Sequence, residues 1–293
     1  MGNITVTDVR AHPGDSAFLI DDGTTAILVD SGYGFTAHLV AARIARQLGS
    51  RPLDYIFLTH SHYDHALGSA AIAKHWPDVK IIAGAYAARI FQKDSAKRTM
   101  RELDQKAAAS CGIFQYEDCA DALRVDQTVE DGDLIVAGDL HFTVVNLPGH
   151  TRCSVGFYLS EEKFLISTET LGVRIGRSTV FPSYLVGYGM TMDSIARAEA
   201  LDIERMLLPH CGIIEGDDVR QYLSAAKASA AETAEVVSAM LRAGKSKQDA
   251  VQYIIETFYH DDIRRSYPPA AMQLNTNIMV DLIERELVIP VHS

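Results

Sequence analysis

The apolar run Tyr55-Ile56-Phe57-Leu58 is followed, one residue on, by His60-Ser61-His62-Tyr63-Asp64-His65. Four consecutive apolar residues bounded by polar ones are the pattern of a strand buried on both faces, as in a parallel sheet covered by helices. Three imidazoles and a carboxylate then arrive within six residues. A polar surface turn is the bland explanation, but chance rarely places so many metal-binding side chains directly after a buried strand. The i, i+2 spacing of His60 and His62 suits an extended loop rather than the i, i+4 spacing of a helical metal site. A rigid scaffold converges side chains from distant sequence at such strand-end loops.

The same plan recurs along the chain. Ala17-Phe18-Leu19-Ile20, the turn Asp21-Asp22-Gly23 and Thr25-Ala26-Ile27-Leu28-Val29-Asp30 read as a hairpin. Residues 36–48 read as a helix with Leu39, Ile44 and Leu48 near one face, residues 66–76 as another, and residues 86–122 as mostly helical. Strands are expected at Val79-Lys80-Ile81-Ile82-Ala83, Leu134-Ile135-Val136 and Phe142-Thr143-Val144-Val145, and at Met206-Leu207-Leu208. Val155-Gly156-Phe157-Tyr158-Leu159 and Phe164-Leu165-Ile166-Ser167 form a second hairpin. Ala26-Ile27-Leu28-Val29-Asp30 and Phe164 to Glu169 resemble each other, each an apolar strand ending in an acid. From about residue 216 the pattern is helical. Val219, Leu223, Ala226, Ala230, Ala234, Val237 and Leu241 recur at helical spacing, and Ser246 reads as an N-cap. Pro268 and Pro269 open a last helix with Ile278, Met279, Leu282 and Ile283 as its apolar stripe. The expected division is therefore a strand-and-helix domain over residues 1–215 and a helical extension over 216–293, packed on the first or on another subunit. A homo-oligomer is compatible with that.

Three more ligand types follow expected strands: His150 after Leu147-Pro148-Gly149, Glu169 after Ile166, and His210 after Leu208-Pro209. Alone, His150 or His210 reads more naturally as an ordinary loop histidine; beside the first motif both become ligand candidates. The chain's 293 residues, 47% of them hydrophobic, suffice for a core without disulfides. Four cysteines without a C-x-x-C pair suggest free thiols in a reducing cytoplasm, with Cys153 and Cys211 as buried filler. A net charge of −11 disfavours nucleic acid, which is held mainly through Lys and Arg on phosphates. No run of about 18 apolar residues suggests a membrane span, and residues 1–10 lack the pattern of a secretory signal.

His60-Ser61-His62-Tyr63-Asp64-His65, with His150, Glu169 and His210 in order and Asp30 ending an early strand, resembles the metallo-β-lactamase superfamily motif. The resemblance covers roughly residues 10 to 215. It implies an α/β fold, an αββα sandwich, and two divalent metal ions, Zn first and Fe or Mn as alternatives. It implies His60, His62 and His150 on one metal, Asp64, His65 and His210 on the other, Glu169 bridging, and Asp30 supporting the histidine loop without binding metal. Most hydrolytic members carry Asp at the bridging position. The extra methylene of Glu169 leaves open whether it bridges, favours one metal or widens the pair. The implied chemistry is attack by metal-bound hydroxide on an activated acyl carbon, with the water's pKa lowered from about 15.7 toward 7. Asp64 is the candidate catalytic residue, passing a proton to the leaving group.

The chain's length, its helical tail and Ser167-Thr168-Glu169-Thr170-Leu171-Gly172 resemble the thioesterase branch related to the alkylquinolone-signal response protein. That implies a small-molecule thioester of acyl-CoA type; lactones and glutathione thioesters stay open. Arg89, Lys93, Lys97, Arg98 and Arg101 form a basic helical face that could receive an anionic leaving group such as CoA, although a solvated helix is the plainer reading. Tyr184 and Tyr188 lie in a Gly-rich loop and could line the pocket or simply pack. The rival readings are a single-iron sulfur dioxygenase and a regulatory or binding protein on the same fold. The complete ligand set argues against the latter. An acid where His62 stands would have signalled a di-iron flavoprotein.

Overall fold

A computed structural model describes residues 4–260 and 263–289. The first half runs β1 (Thr5–Asp8), β2 (Phe18–Asp21), β3 (Ala26–Val29), α1 (Ala37–Leu48), β4 (Tyr55–Leu58), α2 (Tyr63–Ala66), α3 (Gly68–Ile72), β5 (Lys80–Gly84), α4 (Ala85–Phe91), α5 (Asp94–Ser110) and β6 (Gln127–Val129). The second runs β7 (Leu134–Ala137), β8 (Leu140–Asn146), β9 (Val155–Leu159), β10 (Phe164–Ile166), β11 (Val173–Ile175), β12 (Thr179–Phe181), α6 (Tyr188–Glu199), β13 (Arg205–Leu208) and β14 (Gly212–Glu215). Then come α7 (Asp217–Arg242), α8 (Lys247–Phe258), α9 (Ile263–Ser266) and α10 (Pro269–Ile283).

Two six-stranded sheets, in the orders β1-β2-β3-β4-β5-β6 and β14-β13-β10-β9-β8-β7, pack face to face. The two-residue period of the strands sorts their side chains. Phe18, Ile27, Phe57 and Ile82 of the first sheet meet Phe142, Phe157, Phe164 and Ile166 of the second in the inter-sheet core. The alternate residues, among them Leu28, Ile56 and Leu58, pack outward against Val40, Ile44 and Leu48 of α1. On the far side Leu165, Met206 and Leu208 meet Ile195 of α6 and Leu223 of α7. The layers are thus α, β, β, α. Leu39, expected on the buried face of α1, is 46% exposed; Val40 and Ala41 take that role.

Strand direction decides where the chemistry gathers. β3 and β4 are parallel, so the residues after both, Asp30 and His60, emerge at one edge. In the second sheet β10 is parallel to β13 and antiparallel to β9, which is antiparallel to β8. The ends of β8, β10 and β13 therefore point the same way, carrying His150, Glu169 and His210. The similarity of the Asp30 and Glu169 strands corresponds to these matching ends of the two sheets.

Several short elements had no clear sequence pattern: β1, β6, the β11–β12 hairpin, α6 and β14. The helix expected over 66–76 is two pieces, α2 and α3, and begins earlier, at Tyr63. Tyr188 opens α6 instead of lying in a loop. Ser246 caps α8 as expected, in a reciprocal box with Asp249. The tail helices close a further apolar core with Val173, Phe181 and Tyr184, so within the described residues they pack on this chain's own sandwich. The last four residues of the expected extension, 290–293, lie outside the described residues.

Candidate metal centre

The loop after β4 is extended only as far as His62; Asp64 and His65 sit in the single turn of α2. The change from extended to helical backbone aims His60 and His62 to one side and Asp64 and His65 to the other. The turn can lie this close because of Gly68, where a β-carbon would come 2.1 Å from the Ser31 carbonyl oxygen. Gly149 does the same for His150: its φ is +144° and a β-carbon would meet Thr191 Oγ1 at 2.2 Å.

All seven sequence-derived candidates come together, in two sets. Ligand atoms of His60, His62, His150 and Glu169 lie within 4.8 Å of one another, as do those of Asp64, His65 and His210. Glu169 reaches both sets. Its Oε2 is 2.9 Å from His150 Nε2, 3.4 Å from His60 Nε2 and 3.2 Å from His65 Nε2, while Oε1 is 3.5 Å from His210 Nε2. Asp64 Oδ2 lies 3.6 Å from His65 Nε2 and 3.7 Å from His210 Nε2.

The outward-facing nitrogens fix the tautomers. His150 Nδ1 lies 2.8 Å from the Ser183 carbonyl oxygen and His210 Nδ1 3.1 Å from that of Asp15. A carbonyl can only accept, so both Nδ1 atoms carry hydrogen and both Nε2 atoms present lone pairs. His65 Nδ1 donates to Asp30 Oδ2 at 2.7 Å. Thr59 Oγ1 donates to Asp30 and so accepts from His60 Nδ1 at 3.1 Å. His62 is turned the other way, with Nδ1 inward, 2.9 Å from His150 Nε2. Outer partners of this kind are how proteins orient metal-binding imidazoles. Asp30, at φ +53°, and His210, at φ +60°, both hold left-handed backbone, a strain of the sort kept at working sites.

The fit to a divalent ion rests on what these residues leave unsatisfied. Nε2 of His60, His65 and His210 are buried without a hydrogen-bond partner. Imidazole nitrogens facing one buried and one partly exposed carboxylate are the donor set that Zn, Fe or Mn takes. The proton affinities divide the imidazoles. Burial, then the neighbouring His65, pushes the His60 imidazole down to about 3. Burial and His150 hold His62 well below its ordinary value. Burial opposes charge on His65 too, but Asp30 and Asp64 outweigh it and raise its pKa well above normal. Burial would raise Glu169, yet His150, His210 and His60 keep it well below the usual carboxylate range. Burial raises Asp64, helped by the charge of Glu169.

His62, Asp64, His150 and Glu169 of the cluster form the floor of a cavity of about 530 Å³. Tyr33 and Tyr63 stand beside it, α5 contributes Leu103 and Ala107, and Leu185 and α10 close the opposite side. Tyr267, just before α10, donates its hydroxyl to Glu169 Oε1. Sequence reasoning missed Tyr267, Asp15 and Ser183. The first acts from the tail, far along the chain from Glu169, and the other two through backbone carbonyls that no side-chain pattern reveals.

Other expectations sort differently, and for the basic helical face the plainer reading holds. None of Arg89, Lys93, Lys97, Arg98 and Arg101 lines this cavity. Arg101 is held by Asp118 and Asp121, and Arg89 stacks over Tyr86. Lys106, further along α5, is the lysine on the rim. Tyr184 is fully buried in the tail core and does not reach the cavity. Cys153 is buried, with its thiol 3.3 Å from Ser61 Oγ, but Cys211 is exposed instead of filling a core. Ile278, expected in the buried stripe of α10, is only partly covered and lines the cavity. No helix among the described residues is long and apolar enough to cross a membrane.

The family model described as the metallo-beta-lactamase superfamily matches residues 14–210. An acyl-coenzyme A thioesterase, MBLAC2, from Gallus gallus is 26% identical over 162 residues, 53% of this chain and 56% of that protein. A hydroxyacylglutathione hydrolase from Bradyrhizobium sp. (strain ORS 278) is 28% identical over 198 residues, 66% of this chain and 63% of its own length. The chain thus spans little more than half of these curated relatives. Among solved structures, a metallo-beta-lactamase family protein from Thermus thermophilus superposes with a TM-score of 0.63 at 18% identity, over 97% of this chain and 93% of its own. A superfamily protein from Sulfolobus tokodaii gives 0.56 at 17% identity, over 75% and 84%. At these identities the likeness concerns the fold.

Proposed function

The chain belongs to the metallo-beta-lactamase superfamily, and from that premise we propose that it is a metal-dependent hydrolase of small acyl compounds, with a thioester as the substrate ahead of a lactone. One observation carries the reading: seven ligand-type side chains, four of whose imidazoles are locked by outer partners, face one another, and His62, Asp64, His150 and Glu169 among them line a cavity. In this proposal His60, His62 and His150 would hold one divalent ion and Asp64, His65 and His210 the other, with Glu169 between the two sets. Bound ions would supply Lewis acidity, activating water and polarising an acyl carbonyl.

The protein's own groups do the rest. Asp30, Thr59, Ser183 and the Asp15 carbonyl keep the imidazoles in one tautomer and orientation. Tyr267 fixes the arm of Glu169, and the longer acid's oxygens lie near both sets of ligands, which supports a bridging role despite the extra methylene. Asp64 borders the cavity with its side chain 17% exposed, against 2% for Glu169, and so is the carboxylate placed to hand a proton to a leaving group. Lys106 on the rim offers a counter-charge to an anionic leaving group such as CoA. The thioesterase and glutathione-thioester hydrolase relatives support the same substrate class.

The test is a panel of acyl-CoA and glutathione thioesters, lactones and β-lactams, run on metal-reconstituted protein with elemental analysis. Thioester turnover that disappears with chelator and returns with metal is expected. Oxygen consumption with a persulfide and no hydrolysis would overturn the reading in favour of a dioxygenase.

A further inference from the structure

The wall of the cavity is unlike its floor. Leu103 and Ala107 on α5, Ala271, Leu274 and Ile278 on α10, and Leu185 line the same space. Leu274 is 48% exposed, and Leu103, Leu185 and Ile278 are only partly covered. Four branched aliphatic side chains around a cavity of about 530 Å³ are wasted on water and on a small polar acyl group alike, since apolar surface gains only when another apolar surface covers it. A single exposed leucine means little. Here the apolar side chains converge from three separate elements onto the one space that opens on Asp64 and Glu169.

We propose that the cleft between α5 and α10 is an acyl-chain site, and that the substrate carries an apolar acyl group several carbons long, its carbonyl at the cluster and its chain between the helices. The inference rests on the acyl-hydrolase reading and adds to it the substrate class and a specificity wall contributed by the helical tail. The volume lies within the range of sites that enclose a drug-sized ligand. An acetyl or lactoyl group would leave most of it unfilled. Ile278, which the helical period alone would bury, is half-turned to the cleft because it serves this surface.

A chain-length series tests it. With metal-loaded protein and acetyl, butyryl, octanoyl and dodecanoyl thioesters of one leaving group, kcat/KM should rise by up to about fourfold per methylene until the cleft is full. Leu274→Asp puts a charge on the wall at a half-exposed position, and should cut the octanoyl-to-acetyl ratio of kcat/KM by about tenfold or more. Ala271→Phe should fill the cleft and move the optimum to shorter chains, which a merely structural lesion would not do. A flat or falling series, or an optimum that Ala271→Phe leaves in place, overturns the acyl site while leaving the hydrolase reading intact. If no thioester turns over, the thioesterase reading fails instead, and binding of a fluorescent dodecanoate analogue to the protein decides the cleft separately. Binding weakened by Leu274→Asp supports the site; no binding overturns it.

Discussion

The floor and the wall of the cavity are built by opposite means. On the floor, four imidazoles are each fixed by a hydrogen bond from Nδ1, to Thr59, Asp30, Ser183 or the Asp15 carbonyl, and they rise from loops that follow strands of the two sheets or, for His65, from the single turn of α2. The wall is two helices and a loop that present aliphatic side chains to the space, which would hold a ligand by packing. Directional bonds on a rigid edge suit chemistry that tolerates little displacement. Non-directional contacts on helices outside the sheets suit a site that sorts substrates by shape. Substitutions on the floor should therefore cost turnover with every substrate, and substitutions on the wall should change which substrate is preferred.

The largest effect is expected for His65→Ala, which removes an imidazole between Asp30 and Glu169. Turnover on all thioesters should fall by about a thousandfold, in line with several kcal/mol of lost charge stabilisation, and metal content should drop with it. A variant that kept its selectivity and most of its rate would erase the contrast between floor and wall. Glu169→Gln keeps the volume but removes a charge; about a hundredfold loss in kcat is expected, with one ion released before the other. Glu169→Asp retains the charge and should lose less.

The floor was largely legible in the sequence and the wall was not, for a physical reason. His60, His62, Asp64 and His65 lie within one short segment, and His150, Glu169 and His210 each follow an apolar run, so the two-residue period that marks strands also marks their ends. Asp30 was readable for the same reason. The wall depends on how α10 lies against α5, elements far apart in the chain, and helical periodicity only says that one face of each is covered. It placed Ile278 in the core when the residue faces the cleft. The α2 turn was read as loop because three histidines and an acid give no helical pattern, although that turn is what separates the two ligand sets. Tyr267 carried no signal at all.

Smaller effects sharpen the contrast. Asp30→Asn removes the charge behind His65, and a loss of between about tenfold and a hundredfold in metal affinity is expected, read by competition with a chelator. Tyr267→Phe deletes the hydroxyl on Glu169; about a tenfold fall in kcat with little change in chain-length preference would place Tyr267 with the floor although it comes from the tail. A shift in preference alone would place it with the wall.

The smallest effect concerns stability. Asp104 of α5 is buried and accepts from the Gly34 amide at 2.9 Å; burial lifts its carboxyl from 3.8 to about 6. A raised acid is a cost when ionised, so the penalty is present above about pH 6 and absent below about pH 4. Asp104→Asn should therefore raise stability by about 1–3 kcal/mol at pH 8 and by little at pH 4, measured by urea unfolding at both. The acyl preference should move more than the rate, since the residue supports α5 and touches no ligand.

The proposed bridging of two ions by Glu169 is read out in the metal content per chain. Protein purified without chelator, then reconstituted and desalted, should carry more than one equivalent by elemental analysis, and Glu169→Gln treated identically should fall toward one. A wild-type value that stays at or below one, or a Gln variant that keeps full metal and near-normal turnover, would contradict the account.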